Sequence, residues 1–184
     1  MKIKKLFEAL TVAWAQLPVV GGVVRIGAQS RGSEPADLPF ESISMKPYRI
    51  AAALSITEAA HAGRTGYFDI AAGVTVTLPR ATGSGARYRF VVKTTVTSVN
   101  DVIQVANADD VMQGGIMGHQ DGGDSVESWE TASTSDTITL NGSTKGGLRG
   151  DVIEIEDVAE ALFIVWGQIT QTGTQATPFS AAVS

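Results

Sequence analysis

The sequence predicts an all-β protein, an antiparallel β-sandwich or a partly closed, jelly-roll-like barrel that follows an N-terminal helix and an extended arm. Three observations lead to this fold class. Apolar and polar residues alternate over short stretches, turn-forming residues separate those stretches, and no amphipathic helix intervenes between the later ones. We place the helix and the arm in residues 1–50 and the β-body in residues 51–184.

Residues 74–92 carry the strongest β signal. In their sequence, VTVTLPRATGSGARYRFVV, apolar and hydroxyl side chains alternate over residues 74–78, and a second alternation begins at Tyr88. Pro79 ends the first run, and the glycines in residues 83–85 favour a reversal of the chain. The sequence therefore predicts a β-hairpin in this segment.

Six further runs read as strands because they are rich in β-branched residues and bounded by turn residues. They cover residues 65–70, 102–106, 111–116, 136–140, 151–157 and 162–169. Residues 48–62 stay open between helix and strand, because their alanines favour a helix although a strand follows directly. Short strands at such regular spacing are typical of sandwiches and barrels.

Composition narrows the class of protein. A chain of 184 residues is long enough for one domain with an appended arm. Hydrophobic residues make up 43% and charged residues 18%, which excludes disorder as the main state. The formal net charge of −5 argues against a nucleic-acid groove, because binding to phosphates depends on clustered Lys and Arg. With no cysteine, the chain has no disulfide, thiolate nucleophile or cysteine-ligated metal.

Residues 1–16 predict an amphipathic helix that docks on a partner or on the body. Its apolar side chains recur at steps of three and four residues. The stripe consists of Ile3, Leu6, Phe7, Leu10 and Trp14. A helix on a membrane surface and a remnant of a secretion signal are the alternatives, and Glu8 inside the apolar run argues against the signal. No stretch reaches the roughly 20 apolar residues of a membrane span.

Residues 18–47 predict an extended arm. Glycine and proline interrupt any long helix here, while several valines make the segment too apolar for a solvated linker. The predicted docking residues of the arm are Val19, Val20, Val23, Val24 and Ile26. Such an arm pairs with a sheet edge or crosses to a neighbouring subunit. The alternative is that the segment supplies the first strands of the body.

Few residues offer catalytic chemistry. The two histidines, His61 and His119, lack the spacing to partner residues that metal sites and catalytic triads use. Asp121 and Asp124 lie close to His119 in the sequence, but the glycines between them favour a loop tip over a metal site. We therefore predict no catalytic residue, no metal, no cofactor and no enzyme activity.

Acidic and aromatic residues give the remaining predictions. In DVIEIED, residues 151–157, acidic residues partly alternate with apolar ones, which indicates a strand with one solvated face. Trp166 lies inside the apolar run LFIVWGQI and is predicted to be core. Trp129 is freer, and together with Gln120 and Asp124 it forms our predicted surface contact.

Three segments, taken in order, are more specific than any single motif. They read VTVTLPRATGSGARYRFVV, DVIQVANADDVMQGG and DGGDSVESWETASTSDTITLNGSTKGGLRGDVIEIED. This succession resembles a module of virion structural proteins from tailed bacteriophages, and it is most similar to the capsid decoration (cement) proteins. The resemblance covers the chain from Thr65 to the C-terminus.

The resemblance implies a non-enzymatic β-domain that binds the outer surface of a phage head as a homotrimer. There it would stabilise contacts between subunits of the major capsid protein. It implies a virion protein made in the host cytoplasm, with no nucleic-acid or membrane partner. The alternative is a fibre or receptor-binding module that recognises a host-surface glycan through residues 114–130.

Overall fold

The computed structural model describes residues 19–20, 23–24 and 46–183 of the chain. The chain divides into two compact units, Met1–Ser44 and Met45–Ser184. In the first unit, β1 (Val19–Val20) and β2 (Val23–Val24) form an antiparallel pair. All four valines of the predicted arm therefore lie in strands.

Other predictions for the N-terminal region fall outside the described residues. They are the amphipathic helix and Ile26 of the arm; the helix residues are Ile3, Leu6, Phe7, Leu10 and Trp14.

The second unit, which we call the body, is built from two sheets and one short helix. Its elements are β3 (Tyr48–Ile50), β4 (Leu54–Ser55), α1 (Glu58–His61), β5 (Thr65–Phe68), β6 (Thr75–Thr77), β7 (Arg87–Val92), β8 (Asp101–Gln104), β9 (Val111–Gln120), β10 (Val126–Glu130), β11 (Thr137–Leu140), β12 (Val152–Ala159), β13 (Leu162–Gln171) and β14 (Phe179–Ser180). A seven-stranded sheet has the order β10-β9-β13-β12-β7-β5-β3, and a five-stranded sheet has the order β14-β11-β8-β6-β4.

In the first half of the body, the chain winds through three superhelical turns, each with one strand in each sheet. From β3 to β8 the chain alternates between the two sheets, so that β3, β5 and β7 are parallel neighbours in the larger sheet. In the smaller sheet, β4, β6 and β8 are parallel neighbours in the same way. Each link crosses to the opposite sheet, so the chain re-enters a given sheet from the same end, which is the condition for parallel pairing.

The second half of the body adds mainly antiparallel pairs. β11 pairs with β8, and β12 pairs with both β7 and β13. β9 and β10 form an antiparallel hairpin, while β13 and β9 are parallel. The all-β class is confirmed, but the predicted antiparallel arrangement needs correction because both sheets are mixed.

The predicted hairpin over residues 74–92 is wrong. β6 and β7 are both strands, as the alternation predicted, but they belong to different sheets. Residues 79–86 cross from the smaller sheet to the larger one. Gly83 does take the left-handed conformation expected of a turn glycine, with φ 77°. The difference arises because this link is held by a carboxylate of β12, described below, and not by a neighbouring strand.

One hydrophobic core lies between the two sheets. Phe68, Phe90 and Phe163 enter it from the larger sheet, and Ile103 and Ile138 enter it from the smaller one. Each of these side chains is at most 1% exposed. Burying a side chain of this size contributes about 1.5–3 kcal/mol, so the facing rows are the main source of stability for the sandwich.

Five aspartates are buried as deeply as the core. They are Asp101, Asp110, Asp136, Asp151 and Asp157, and each is at most 4% exposed. Their carboxylates accept hydrogen bonds from backbone amides of other segments. The amide of Val74 donates to Asp101 over 3.1 Å, and that of Ala81 donates to Asp110 over 3.1 Å. A buried carboxylate needs such donors because desolvation otherwise destabilises it.

Asp157 has the densest set of donors. The backbone amides of Thr82, Gly83 and Ser84 all point at its carboxylate, and that of Gly83 is the closest at 2.7 Å. The hydroxyls of Thr82 and Ser84 donate as well. Burial on its own would raise the pKa of Asp157, but these hydrogen bonds outweigh it and hold the pKa below its ordinary value.

Asp151 and Asp101 are shifted in the opposite direction. Burial raises the pKa of Asp151 although the amides of Thr170, Gly147 and Leu148 donate to it. Burial also raises the pKa of Asp101 to about 7, opposed only by the hydrogen bond from Val74. The second carboxylate oxygen of Asp101 is buried with no hydrogen-bond partner among the described residues.

These positions correct the prediction for residues 151–157. Glu154 and Glu156 do face outward on β12, as a strand with one solvated face requires. Asp151 and Asp157, at the two ends of the same segment, are buried instead. Their short side chains reach backbone amides beside the strand ends.

We expect Asp157→Asn to destabilise the body by about 2–4 kcal/mol, because the amide nitrogen of Asn would face amide donors that now bind an oxygen. Chemical unfolding at neutral pH measures this loss. Since the folded pKa is lowered, the stabilisation from Asp157 exists above the unfolded pKa of about 3.8 and disappears as the pH falls through the folded pKa. Glu156→Gln, on the exposed side of the same strand, should cost less than about 1 kcal/mol. Equal losses for the two variants would contradict the assignment.

We expect Asp101→Asn to stabilise the body at pH 8 by about 1–3 kcal/mol and to have a smaller effect at pH 5. The folded pKa of about 7 lies above the unfolded value of 3.8, so wild-type stability falls as the pH rises between them. Thermal unfolding at both pH values gives the comparison, with Asp109→Asn as an exposed control. A difference between wild type and variant that does not change with pH would refute this prediction.

Candidate docking face

The outward surface of the seven-stranded sheet collects charged and aromatic side chains in rows. In the register of the sheet, Glu154 on β12 lies opposite Arg89 on β7 and opposite Trp166 on β13. Glu156 lies opposite Arg87 in the next row. The alternation of β7 and β12 places their apolar residues in the core, so these polar residues necessarily point away from it. We call this surface the Trp166 face.

Two ion pairs neutralise the charges of the Trp166 face. The Nε atom of Arg87 lies 3.0 Å from Glu156, and the Nε atom of Arg89 lies 3.2 Å from Glu154. Exposed pairs of this kind stabilise a protein by about 0–1 kcal/mol. Their stronger effect is on the position of the side chains. Each pair joins β7 to β12 and holds the guanidinium beside its carboxylate.

Trp166 is the exposed aromatic residue of this face. Its side chain lies between Gly115 of β9 and Glu154 of β12 in the register, and the residue is 37% exposed. It lines a shallow cleft of about 210 Å³ together with Arg64, Thr65 and Arg89. A flat indole flanked by paired charges suits non-covalent contact with another surface.

Met117 extends the apolar part of this face. It is 43% exposed and lies two residues beyond Gly115, the β9 residue opposite Trp166. Residues in this diagonal relation lie within reach of long side chains. The face therefore offers two exposed apolar side chains surrounded by charged and polar ones.

The structure corrects the predicted place of Trp166 and leaves Trp129 half-buried. Trp166 was expected in the core and is exposed. Trp129 was expected to be free, but it packs against the hydrophobic core, and its indole N–H donates to Gln171 over 2.9 Å. The cause is the alternation of β13, which turns Val165 inward and Trp166 outward within a continuous apolar run.

The predicted contact residues Gln120, Asp124 and Trp129 all lie in the β9–β10 hairpin. Gln120 ends β9, Asp124 is exposed in the turn, and Trp129 lies on β10. The amide of Gln120 donates to the carbonyl of Ser125 over 3.0 Å and closes the turn. The indole of Trp129 is held by the core and by Gln171, and the surface contact through these three residues stays a prediction.

The remaining titratable residues singled out from the sequence have structural surroundings. The Nδ1 atom of His61 lies 3.0 Å from the backbone nitrogen of Thr57, at the start of α1. His119 is at the end of β9, beside the turn that contains Asp121 and Asp124. In the part of the chain that the structure describes, no three acidic or histidine side chains are arranged to hold a metal ion.

We expect acrylamide to quench Trp166 and to leave Trp129 protected, because the first is exposed and the second is packed against the core. Trp166→Phe should therefore remove more of the quenchable fluorescence than Trp129→Phe. Steady-state quenching of both variants beside the wild type makes the comparison. A larger loss from Trp129→Phe would show that the two environments have been assigned the wrong way round.

Comparisons with known proteins do not indicate a function, so a functional assignment depends on the residues and their geometry. No helix among the described residues is long and apolar enough to span a membrane. No protein-family model, no curated protein and no solved structure shows significant similarity to this chain.

Proposed function

We propose that this chain is a capsid decoration (cement) protein of a tailed bacteriophage. In this proposal it binds the outer surface of the head as a trimer and stabilises contacts between subunits of the major capsid protein. The observation that carries the proposal is the Trp166 face, where the exposed indole and Met117 share the outer surface of the larger sheet with two ion pairs. The resemblance of the segments after Thr65 to virion structural proteins supports the same function.

The mechanism follows from mass action. A protein that binds the assembled shell and not its separated subunits lowers the free energy of the shell, and this stabilisation grows with the concentration of free protein. Contact energy at such interfaces is concentrated in a few residues, with tryptophan and arginine enriched among them. Trp166 is the candidate anchor, and Arg87 and Arg89, on the far side of β12, line the same cleft and form a polar rim.

The body suits this role because its loops are tied down. Residues 82–84 are held by Asp157, and residues 147 and 148 are held by Asp151, which also accepts a hydrogen bond from Thr170 of β13. A surface whose loops are already ordered loses little conformational entropy on binding. β12 carries Asp157 on its inner side and Glu154 on the Trp166 face, and Asp151 directly precedes it, so the face and the loop anchors share one continuous segment.

A second candidate is a fibre or receptor-binding module that recognises a host-surface glycan. The observation in its favour is the cleft of about 210 Å³ beside Trp166, because sugars stack on aromatic faces and bond to charged groups such as Arg89 and Glu154. In this candidate the cleft adds Trp166 to the glycan contacts predicted from the sequence, which are Gln120, Asp124 and Trp129.

We expect purified protein to co-sediment with heads of the phage that encodes it, and Trp166→Ala to weaken this binding about 30-fold, the loss typical of a central aromatic anchor. Val99→Ala is the matched control, because Val99 is 67% exposed in the loop between β7 and β8. Wild-type protein that does not bind heads, or equal binding by the two variants, would refute the proposal. Binding to host polysaccharide that is lost in Trp166→Ala would support the second candidate.

A further inference from the structure

Among the described residues, no strand pairs with the outer edge of β10, where the backbone groups follow a regular pattern. The amide of Gln120 donates to Ser125, and the amide of Thr131 donates to Gly114, each over 3.0 Å. In an antiparallel pair, residues alternate between facing the neighbouring strand and facing away from it. Ser125, Glu127, Trp129 and Thr131 therefore bond towards β9. The remaining residues of the strand, Val126, Ser128 and Glu130, direct their N–H and C=O groups away from the sheet.

This edge is longer than the others. Among the described strands of the body, those at sheet edges are β10, β3, β4 and β14; β10 has five residues and the others have two or three. Proteins usually block exposed edges with lysine, proline or a bulge. The sequence VESWE contains neither lysine nor proline, and its register with β9 is continuous. Val126 is 54% exposed at its start.

The charge of the β9–β10 hairpin identifies the kind of partner. Residues 111–131 contain four acidic residues and no lysine or arginine, so their formal charge is −4 (0 − 4), while the whole chain carries −5. The acidic residues are Asp121, Asp124, Glu127 and Glu130. A second copy of this strand would bring like charges together, which destabilises a cross-strand pair. A strand that carries lysine or arginine would pair with Glu127 and Glu130 instead.

Space for a long cationic side chain lies at the end of the same strand. A groove of about 260 Å³ is lined by Gln113, Glu130 and Thr131, so Glu130 borders an open volume. A lysine or arginine side chain entering this groove would bring its charged end close to Glu130.

We propose that β10 is a docking edge for an extended segment of another protein that carries lysine or arginine, which adds to the larger sheet as an eighth strand. Backbone hydrogen bonds to Val126, Ser128 and Glu130 supply affinity, and the two glutamates select for basic side chains. The proposal concerns a different surface from the Trp166 face and holds whichever assembly the chain joins.

The first test uses full-length protein and a short synthetic peptide in which pairs of lysines alternate with pairs of valines, so that lysines lie on both faces of the added strand, as Glu127 and Glu130 do on β10. A matched peptide with glutamate in place of lysine is the control. We expect the lysine peptide to bind at least about tenfold more tightly at low salt, and the double variant Glu127→Lys/Glu130→Lys to reverse this preference. Equal binding of the two peptides, or an unchanged preference in the double variant, would overturn the proposal.

The second test addresses the backbone. Ser128→Pro removes an outward N–H that no β9 residue uses, so the fold should persist while peptide binding weakens at least about tenfold. Ser128→Ala keeps the N–H and should bind as wild type does. In wild-type protein, bound peptide should newly protect the amides of Val126, Ser128 and Glu130 from hydrogen exchange, a readout that does not depend on the folding of any variant.

Two results would overturn the assignment of this edge. One is peptide binding without new protection of those three amides. The other is a self-associated chain, seen by sedimentation, in which the same amides are already protected, because the edge would then belong to a second copy. Neither result bears on binding to phage heads through Trp166, so failure here and failure of the proposed function can be told apart.

Discussion

The structure depends on buried carboxylates that accept hydrogen bonds from the backbone of crossing loops. A chain that alternates between two sheets cannot satisfy its links with tight turns, because each link must pass from one layer to the other. The amides in these links still need acceptors. Asp157 supplies one for residues 82–84, and Asp110 supplies one for Ala81. Without these acceptors the buried amide of Ala81 and the partly buried amides of residues 82–84 would lack partners, which costs more than a lost surface contact.

β12 connects a buried carboxylate, Asp157, to the outer surface of the larger sheet. Its inward side chains begin with Ile153, continue through the core and end at Asp157, while Glu154 and Glu156 alternate with them on the outside. The strand lies between β7 and β13, so its outward carboxylates meet Arg87 and Arg89 on one side and Trp166 on the other. The register of β12 with its two neighbours therefore fixes both Asp157, which orders a loop, and the residues of the Trp166 face.

A sequence signal for the buried aspartates was present and was missed. Aspartate directly precedes a pair of apolar or β-branched residues at DVI, DVM, DTI and DVI, beginning at Asp101, Asp110, Asp136 and Asp151. Each triplet opens a strand, and the acid at its head is buried. The residue type on its own favours solvent-exposed positions for these aspartates, because aspartate is mostly exposed in proteins. The recurrence of one triplet at four strand starts is the pattern that indicates a structural role.

Local patterns were enough for the β class and for most strand positions, because alternation and turn residues act over a few neighbours. The strands at residues 65–68, 137–140 and 152–159 fall where β-branched runs predicted them. Tertiary structure alone decided which strands pair, since a crossing link and a hairpin turn use the same glycines. It also decided that Trp166 faces outward and Trp129 inward. In a run as uniformly apolar as LFIVWGQI, the exposed side is set by the register with β12 and β9, and register is a property of the assembled sheet.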